Sequence, residues 1–367
     1  MSFLPSLLSE RARDDGERVA LSFKEGGAFR FLTWAEVEQE VSNLSRALGR
    51  AGLNSRSQLW VSGEVSVRQL LTVLAALSLD ARILVGDDTT AGAATWAFVC
   101  GSIELRRLLA KSPATSFGGI VFDDRRARPP VGIGALAYSE LIAESEERTS
   151  PVVEVSPFSS IGAGRRGFTS LQLQHAFVAA LPEASRFAGS RSLFEVGWSS
   201  QEVALLVLAH WLGARFELGL PEQSASVERD ASELGVSLRI ASASAWDEWA
   251  DAVRARLAPE GSRKRRFVDW ALATQADRRG QAWFSRVLSR VLVVGPMKRA
   301  LGLRRWRRAV TVDGTPNAAT LRLLTGLAVT HESIVQLRAA GLASHAEDEE
   351  AGHDVSARDG ELARQSA

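Results

Sequence analysis

The chain has 367 residues, 46% of them hydrophobic, and a formal charge of +1; that is enough apolar material for a large core in two or so domains, with no global field to draw it toward nucleic acid. Its single cysteine, Cys100, excludes an intrachain disulfide and a cysteine-built metal site and suits a reducing compartment, so the cytoplasm is the expected location. The N-terminus lacks the basic-then-apolar layout of a secretion signal, and the apolar runs stop well short of a membrane span.

In chain order, "RVALSFKEGGAFRFLTW" reads as two short strands around a Gly26-Gly27 turn, a hairpin. Thr33 then caps a helix through "WAEVEQEVSNLSRALGR", with Glu36 placed for a capping box and Val37, Val41, Leu44 and Leu48 at helical spacing. Gly52 ends it. "QLWVSG", "RILVG", "ATWAFVCG" and "GGIVFDD" read as strands, and "SVRQLLTVLAALSLDA" as an apolar helix between the first two, which is the rhythm of a doubly wound α/β fold. From about 125 to 155 the chain is polar and proline-bearing, connecting around a short helix, "YSELIAESEE". Helix, strand, apolar helix and strand follow in "LQLQHAFVAALPEASRF", "SLFEVG", "QEVALLVLAHWLGA" and "RFELG". From Ala245 helices alone are expected, rich in arginine and tryptophan, before "RRAVTVDGTPNAATLRLLTGLAVTH" returns to strand, turn, helix, strand. Residues 343–367 carry almost no apolar side chains and are expected to form a disordered acidic tail.

The stretch "SSIGAGRRGFT" holds Gly162, Gly164 and Gly167 in a G-x-G-x-x-G pattern and approaches a P-loop with Phe168 where lysine belongs. As a dinucleotide loop it lies in mid-chain, and the candidate ribose acid, Glu195, is too far along. As an ATPase loop it lacks the lysine charge. Other features carry weaker chemistry. The basic run Arg263 to Arg308 is expected to solvate helices that pack through Phe267, Trp270, Phe284, Leu288 and Val291. Asp87-Asp88 and Asp123-Asp124 are expected in solvated or capping roles. His331-Glu332 lacks the second histidine of a metalloprotease, and His345 and His353 fall in the charged tail.

The stretch "ERARDDGERVALSFKEGGAFRFLTWAEVEQEVSNLSRALGRAGL" resembles the opening of the adenylate-forming acyl-CoA synthetase superfamily. "RRFVDWALATQADRRGQAWFSRVLSRVLVVGPMKRALGLRRWRRAVTVDGTP" is similar to the helical segment of long-chain fatty acyl-CoA synthetases that leads into a strand and turn. The resemblance covers about residues 5 to 342. It implies residues 1–342 as the large N-terminal lobe of that α/β architecture, with two sheets flanked by helices, a helical insertion at about 245–303 and the C-terminal domain absent.

The resemblance also implies that Ser159, Ser160, Gly162, Gly164, Arg165, Arg166 and Gly167 form a vestigial phosphate loop, one residue short and without its Pro-Lys. In the register set by Gly326, Ser333 replaces the adenine-packing aromatic and Leu337 the glutamate that helps hold magnesium. "EVGWSSQEV", Glu195 to Val203, lacks the expected histidine. No catalytic residue, metal ligand or cofactor is therefore expected, and the implied role is binding or regulation linked to fatty acid activation. The implied partners are a fatty acid, an acyl-CoA or an active acyl-CoA synthetase paralogue, with no nucleic acid. Two alternatives stand beside this: a working ligase that uses ATP and Mg2+ with altered motifs, and a peripheral membrane or polyanion-binding module acting through the arginine-rich helices.

Overall fold

The computed structural model describes residues 3–86, 94–111, 117–125, 128–129, 135–146, 167–198, 200–277 and 283–334. Its strands are β1 (Val19–Glu25), β2 (Ala28–Thr33), β3 (Gln58–Val61), β4 (Arg82–Val85), β5 (Trp96–Val99), β6 (Gly119–Phe122), β7 (Ala135–Ala137), β8 (Gly167–Phe168), β9 (Arg191–Phe194), β10 (Glu217–Leu220), β11 (Leu238–Ala241), β12 (Arg308–Thr311) and β13 (Thr330–Ser333). They form two sheets, one of seven strands ordered β13-β12-β11-β9-β10-β1-β2 and one of six ordered β7-β6-β5-β3-β4-β8. Pairing is parallel except at the two edges β1·β2 and β4·β8.

Both faces of each sheet are covered, and the period-two alternation of the strands shows it. Leu59, Val61, Ile83, Val85 and Phe98 of the six-stranded sheet share one core with Leu21, Phe194, Leu218, Ile240 and Val310 of the seven-stranded sheet. That core is filled by side chains of the helices Phe3–Asp15, Trp34–Arg50, Val67–Ser78, Ser170–Ala184 and Gln201–Ala214, so these helices form a layer between the sheets. The alternate residues Trp60, Leu84, Ala97, Val99, Ile120 and Phe122 face outward onto Leu105 and Leu108 of the helix Ser102–Lys111. On the far side, Leu193, Ala241 and Ala309 meet the helices Val227–Leu234, Ala243–Ala255 and Ala318–Gly326. Five layers result. The helix Gln201–Ala214 is apolar around most of its circumference because it is buried on nearly every side.

Local signals hold where they are strongest. Gly26 and Gly27 take φ of 59° and 80°, the left-handed pair a two-residue hairpin needs. Thr33 and Glu36 form the reciprocal capping box. Beyond residue 243 the described chain is helical until β12, as expected, through Ala243–Ala255, Arg263–Ala276, Trp283–Ser289, a π-helical turn at Arg290–Val294 and Gly295–Ala300.

One expectation fails there. Phe267, Trp270, Phe284, Leu288 and Val291 do not pack inward; all five are exposed. The buried face of this hairpin is instead Ala271, Thr274, Gln275, Ser289, Val293 and Val294, joined by Gln275 Nε2 donating to Ser289 Oγ at 2.7 Å and to the Arg286 carbonyl at 2.6 Å. The tail at 343–367 lies outside the described residues.

β11 carries a charge in its middle. Arg239 is 1% exposed and is boxed by Trp246, Trp306 and Trp249 at 5.2, 5.5 and 5.9 Å from ring centroids. It donates to Glu195 at 2.5 Å and Glu228 at 2.9 Å. Planar stacking and forked donors together make arginine, rather than lysine, the cation that this site accommodates.

Candidate functional site

Parallel strands that end on the same side leave a crevice outside their carboxyl ends, the usual ligand site of α/β sheets. Here both sheets contribute to one. A cleft of about 1280 Å3 is lined by the ends of β1 and β10 from the seven-stranded sheet, by the loop Gly197-Trp198 after β9, and by the loops that follow β3, β4, β5 and β6.

The sheets are stitched beside it. Trp198 N donates to the Gly63 carbonyl at 2.7 Å, and Trp198 Nε1 donates to Gln69 Oε1 at 2.6 Å. Gln69 in turn donates to the Ser62 carbonyl at 3.0 Å. A Cβ on Gly197 would stand 2.4 Å from the Gly63 oxygen, so only glycine permits this approach. Gly63 itself has φ of 75°. Ser224 N donating to Glu64 at 3.3 Å adds a second bridge.

The lining divides by polarity. Phe23, Val65, Trp198 and Leu220 give apolar surface, and Glu25, Glu64, Glu104, Asp123 and Glu222 give acids. Asp123 is buried and accepts from Arg125 Nε at 2.9 Å on both oxygens, with Arg68 at 3.4 Å. Arg68 also reaches Asp124 at 2.7 Å, and Asp124 accepts from Ser139 N at the start of the helix Tyr138–Glu146. Asp124 thus takes the expected capping role, while Asp123 is not solvated: two arginines compensate its burial. Lys24 donates to Asp230 at 2.9 Å and Glu233 at 2.6 Å, contacts that hold its ammonium above the ordinary lysine range. Glu104, in the first turn of the helix Ser102–Lys111, accepts from Ser62 Oγ and Cys100 N, each at 2.6 Å. Arg107 stands exposed at the rim.

Cys100 is the one thiol in the cleft. Burial first, then the charges of Glu104 and Asp123, push it up to about 12. At neutral pH it is protonated and a poor nucleophile. Among the described residues no group of three His, Cys, Asp or Glu side chains is placed to hold a metal ion. Behind Trp198 lies an apolar void of only about 10 Å3, bounded by Val65, Leu70, Phe194, Ala204, Leu208 and Leu218.

Of the residues singled out in sequence, Ser159, Ser160, Gly162, Gly164, Arg165 and Arg166 lie outside the described residues, as do Asp87-Asp88, Leu337, His345 and His353. Gly167 opens β8 at the edge of the six-stranded sheet, where a Cβ would meet the Ile83 carbonyl at 2.5 Å. Glu195 is the buried partner of Arg239 and is raised above the usual carboxylate range by burial, in spite of that arginine. Ser333 ends β13, buried, and His331 on the same strand shares a 2.7 Å hydrogen bond with Thr311. The seam residues Gly63, Gly197 and Trp198 were missed. Their signal in the sequence is only positional: each follows a strand on the carboxyl side of the sheets.

No protein-family model matches the sequence, and no curated protein does. Solved structures do match. A long-chain-fatty-acid-CoA ligase (FadD1) from Archaeoglobus fulgidus superposes with a TM-score of 0.62 at 12% identity over 90% of this chain and 63% of its own. The acetoacetyl-CoA synthetase of Streptomyces lividans gives 0.60 at 13% identity, over 90% of this chain and 51% of its own. The N-terminal subdomain of Klebsiella oxytoca NpsA gives 0.54 at 12% identity, over 90% and 73%. The chain thus spans about 63% of the length of the ligase. Its two-sheet α/β fold is that of the N-terminal lobe of adenylate-forming enzymes.

Proposed function

We propose that the protein is a non-catalytic binder built on the adenylate-forming fold, which holds an acyl chain ending in a carboxylate or thioester in this cleft and does not take up ATP and Mg2+. The observation that carries the reading is the commitment of two of the three cations in the described lining: Lys24 is matched by Asp230 and Glu233, and Arg125 by Asp123, which leaves Arg107 at the rim. A triphosphate needs several charge-assisted contacts to offset its desolvation. Here it would meet Glu25, Glu64, Glu104 and Glu222 along the described walls. This excess of acids over uncommitted cations along the described lining supports a site that does not favour the nucleotide.

An acyl chain asks for different things. Each methylene laid against Phe23, Val65, Trp198 and Leu220 gains about 0.8 kcal/mol by leaving water. The exposed Arg107 is available to a terminal carboxylate at the rim.

Calorimetry and thermal shift with palmitate, palmitoyl-CoA, AMP and ATP·Mg2+ in parallel test the reading. Acyl ligands should bind and raise the melting temperature, Ile103→Glu at the exposed rim should weaken palmitate binding, and ATP·Mg2+ should do nothing. Micromolar ATP binding abolished by Arg166→Ala would overturn this reading, and fatty-acid-dependent pyrophosphate exchange would establish a working ligase instead.

A further inference from the structure

We propose that the helical hairpin Arg263–Ala276 and Trp283–Ser289, continuing to Ala300, is a docking surface for a membrane rich in anionic lipid. Its apolar stripe points to solvent. Trp283 is 74% exposed, Phe284 and Val291 61% each, and Leu292 52%, with Val287 and Leu288 beside them and a stacked Phe267–Trp270 pair on the neighbouring helix. These positions recur at helical spacing on one side, while Ser289, Val293 and Val294 occupy the other and are buried. A stripe of this kind facing water is the arrangement of a helix that lies in the plane of a lipid interface. Among the described residues no helix is long and apolar enough to cross a membrane.

Charge selects the occupant. Between Arg263 and Arg308 there are fourteen lysines and arginines against two acids, Asp269 and Asp277. Arg263, Lys264, Arg266, Arg290 and Arg299 are exposed around the stripe. A second copy docking through the same face would bring one cationic rim against another. An anionic leaflet attracts that rim while the tryptophans and phenylalanines enter the headgroup region. No residue of the hairpin lines the cleft.

Flotation of the full chain with vesicles tests it, using phosphatidylcholine alone and with roughly 30% phosphatidylglycerol. Wild type should bind the anionic vesicles, weakly or not at all the neutral ones, and release as salt rises. Trp283→Ser with Phe284→Ser, and separately Arg263→Glu with Arg266→Glu, should each lower partitioning about tenfold or more. All four side chains are exposed, so the thermal melts should be unchanged. Failure to bind anionic vesicles, equal binding to neutral ones, or equal binding by both variants overturns the proposal. So does a dimer that Trp283→Ser with Phe284→Ser converts to monomer, which would give the face to a second copy.

Discussion

Asp230 shows how one buried carboxylate positions part of the cleft wall. It is fully buried and accepts from Lys24 Nζ at 2.9 Å, Ser226 Oγ at 2.5 Å and Glu222 N at 3.1 Å. Burial alone would raise its pKa, but the hydrogen bonds from Ser226 and Lys24 outweigh that and hold it below the ordinary aspartate value. A depressed carboxylate stabilises the fold fully above its unfolded pKa and loses that contribution as pH falls through the folded one. Asp230→Asn should therefore lower stability near neutral pH, because Lys24 keeps only Glu233 as an ionic partner. The gap from wild type should narrow as pH drops below about 4. Urea unfolding of both proteins over a pH series checks it; a gap constant down to pH 3 would contradict the account. Lys24 and Glu222 both line the cleft, so acyl binding should weaken in the same variant.

Elements differ in how far the sequence reveals them. Between the sheets, Gly197→Ala should force the loop after β9 away from Gly63, since nothing flexible lies within 2.4 Å of the added methyl, only a backbone carbonyl. Overpacking of this kind costs about 1 to 3 kcal/mol; we expect it to appear in the melting temperature together with weaker cleft binding. An unchanged melt would show that the seam yields freely. The hairpin at Gly26-Gly27 and the helix capped by Thr33 were legible because turn chemistry and capping are local. β11 was not legible. Arg239 in the middle of "LRIA" reads as a solvent residue until Trp246, Trp249 and Trp306 close around it, and those come from other elements. The arginine-rich helices show a further limit of pattern. Periodicity shows that Phe284, Leu288 and Val291 share a side, but not that the side faces water, because the polar pair Gln275 and Ser289 fills the inner position. In the cleft, the carboxyl-end rule locates the walls, while the seam depends on two glycines that have no local motif.

At the scale of the whole molecule, the six-stranded sheet is an insertion. All its strands, β3 to β8, fall between β2 and β9 of the seven-stranded sheet. Pulse-labelling hydrogen exchange during refolding should find amides of β3, β4 and β5 protected before those of β1 and β10; simultaneous protection would contradict this order. The physical cause is loop closure, whose entropy must be met before the distant pair gains its contacts.

That topology bears on synthesis at the ribosome. Leu21 sits opposite Leu218, so the first hairpin made leaves the exit tunnel with one edge of β1 unpaired, and it stays so until β10 emerges. Throughout that interval Ala20 and Leu21, later fully buried, are open to any extended chain nearby, an edge on which the nascent polypeptide can aggregate. Slow translation between β2 and β10 would lengthen the exposure, and a holdase that covers the hairpin would relieve it.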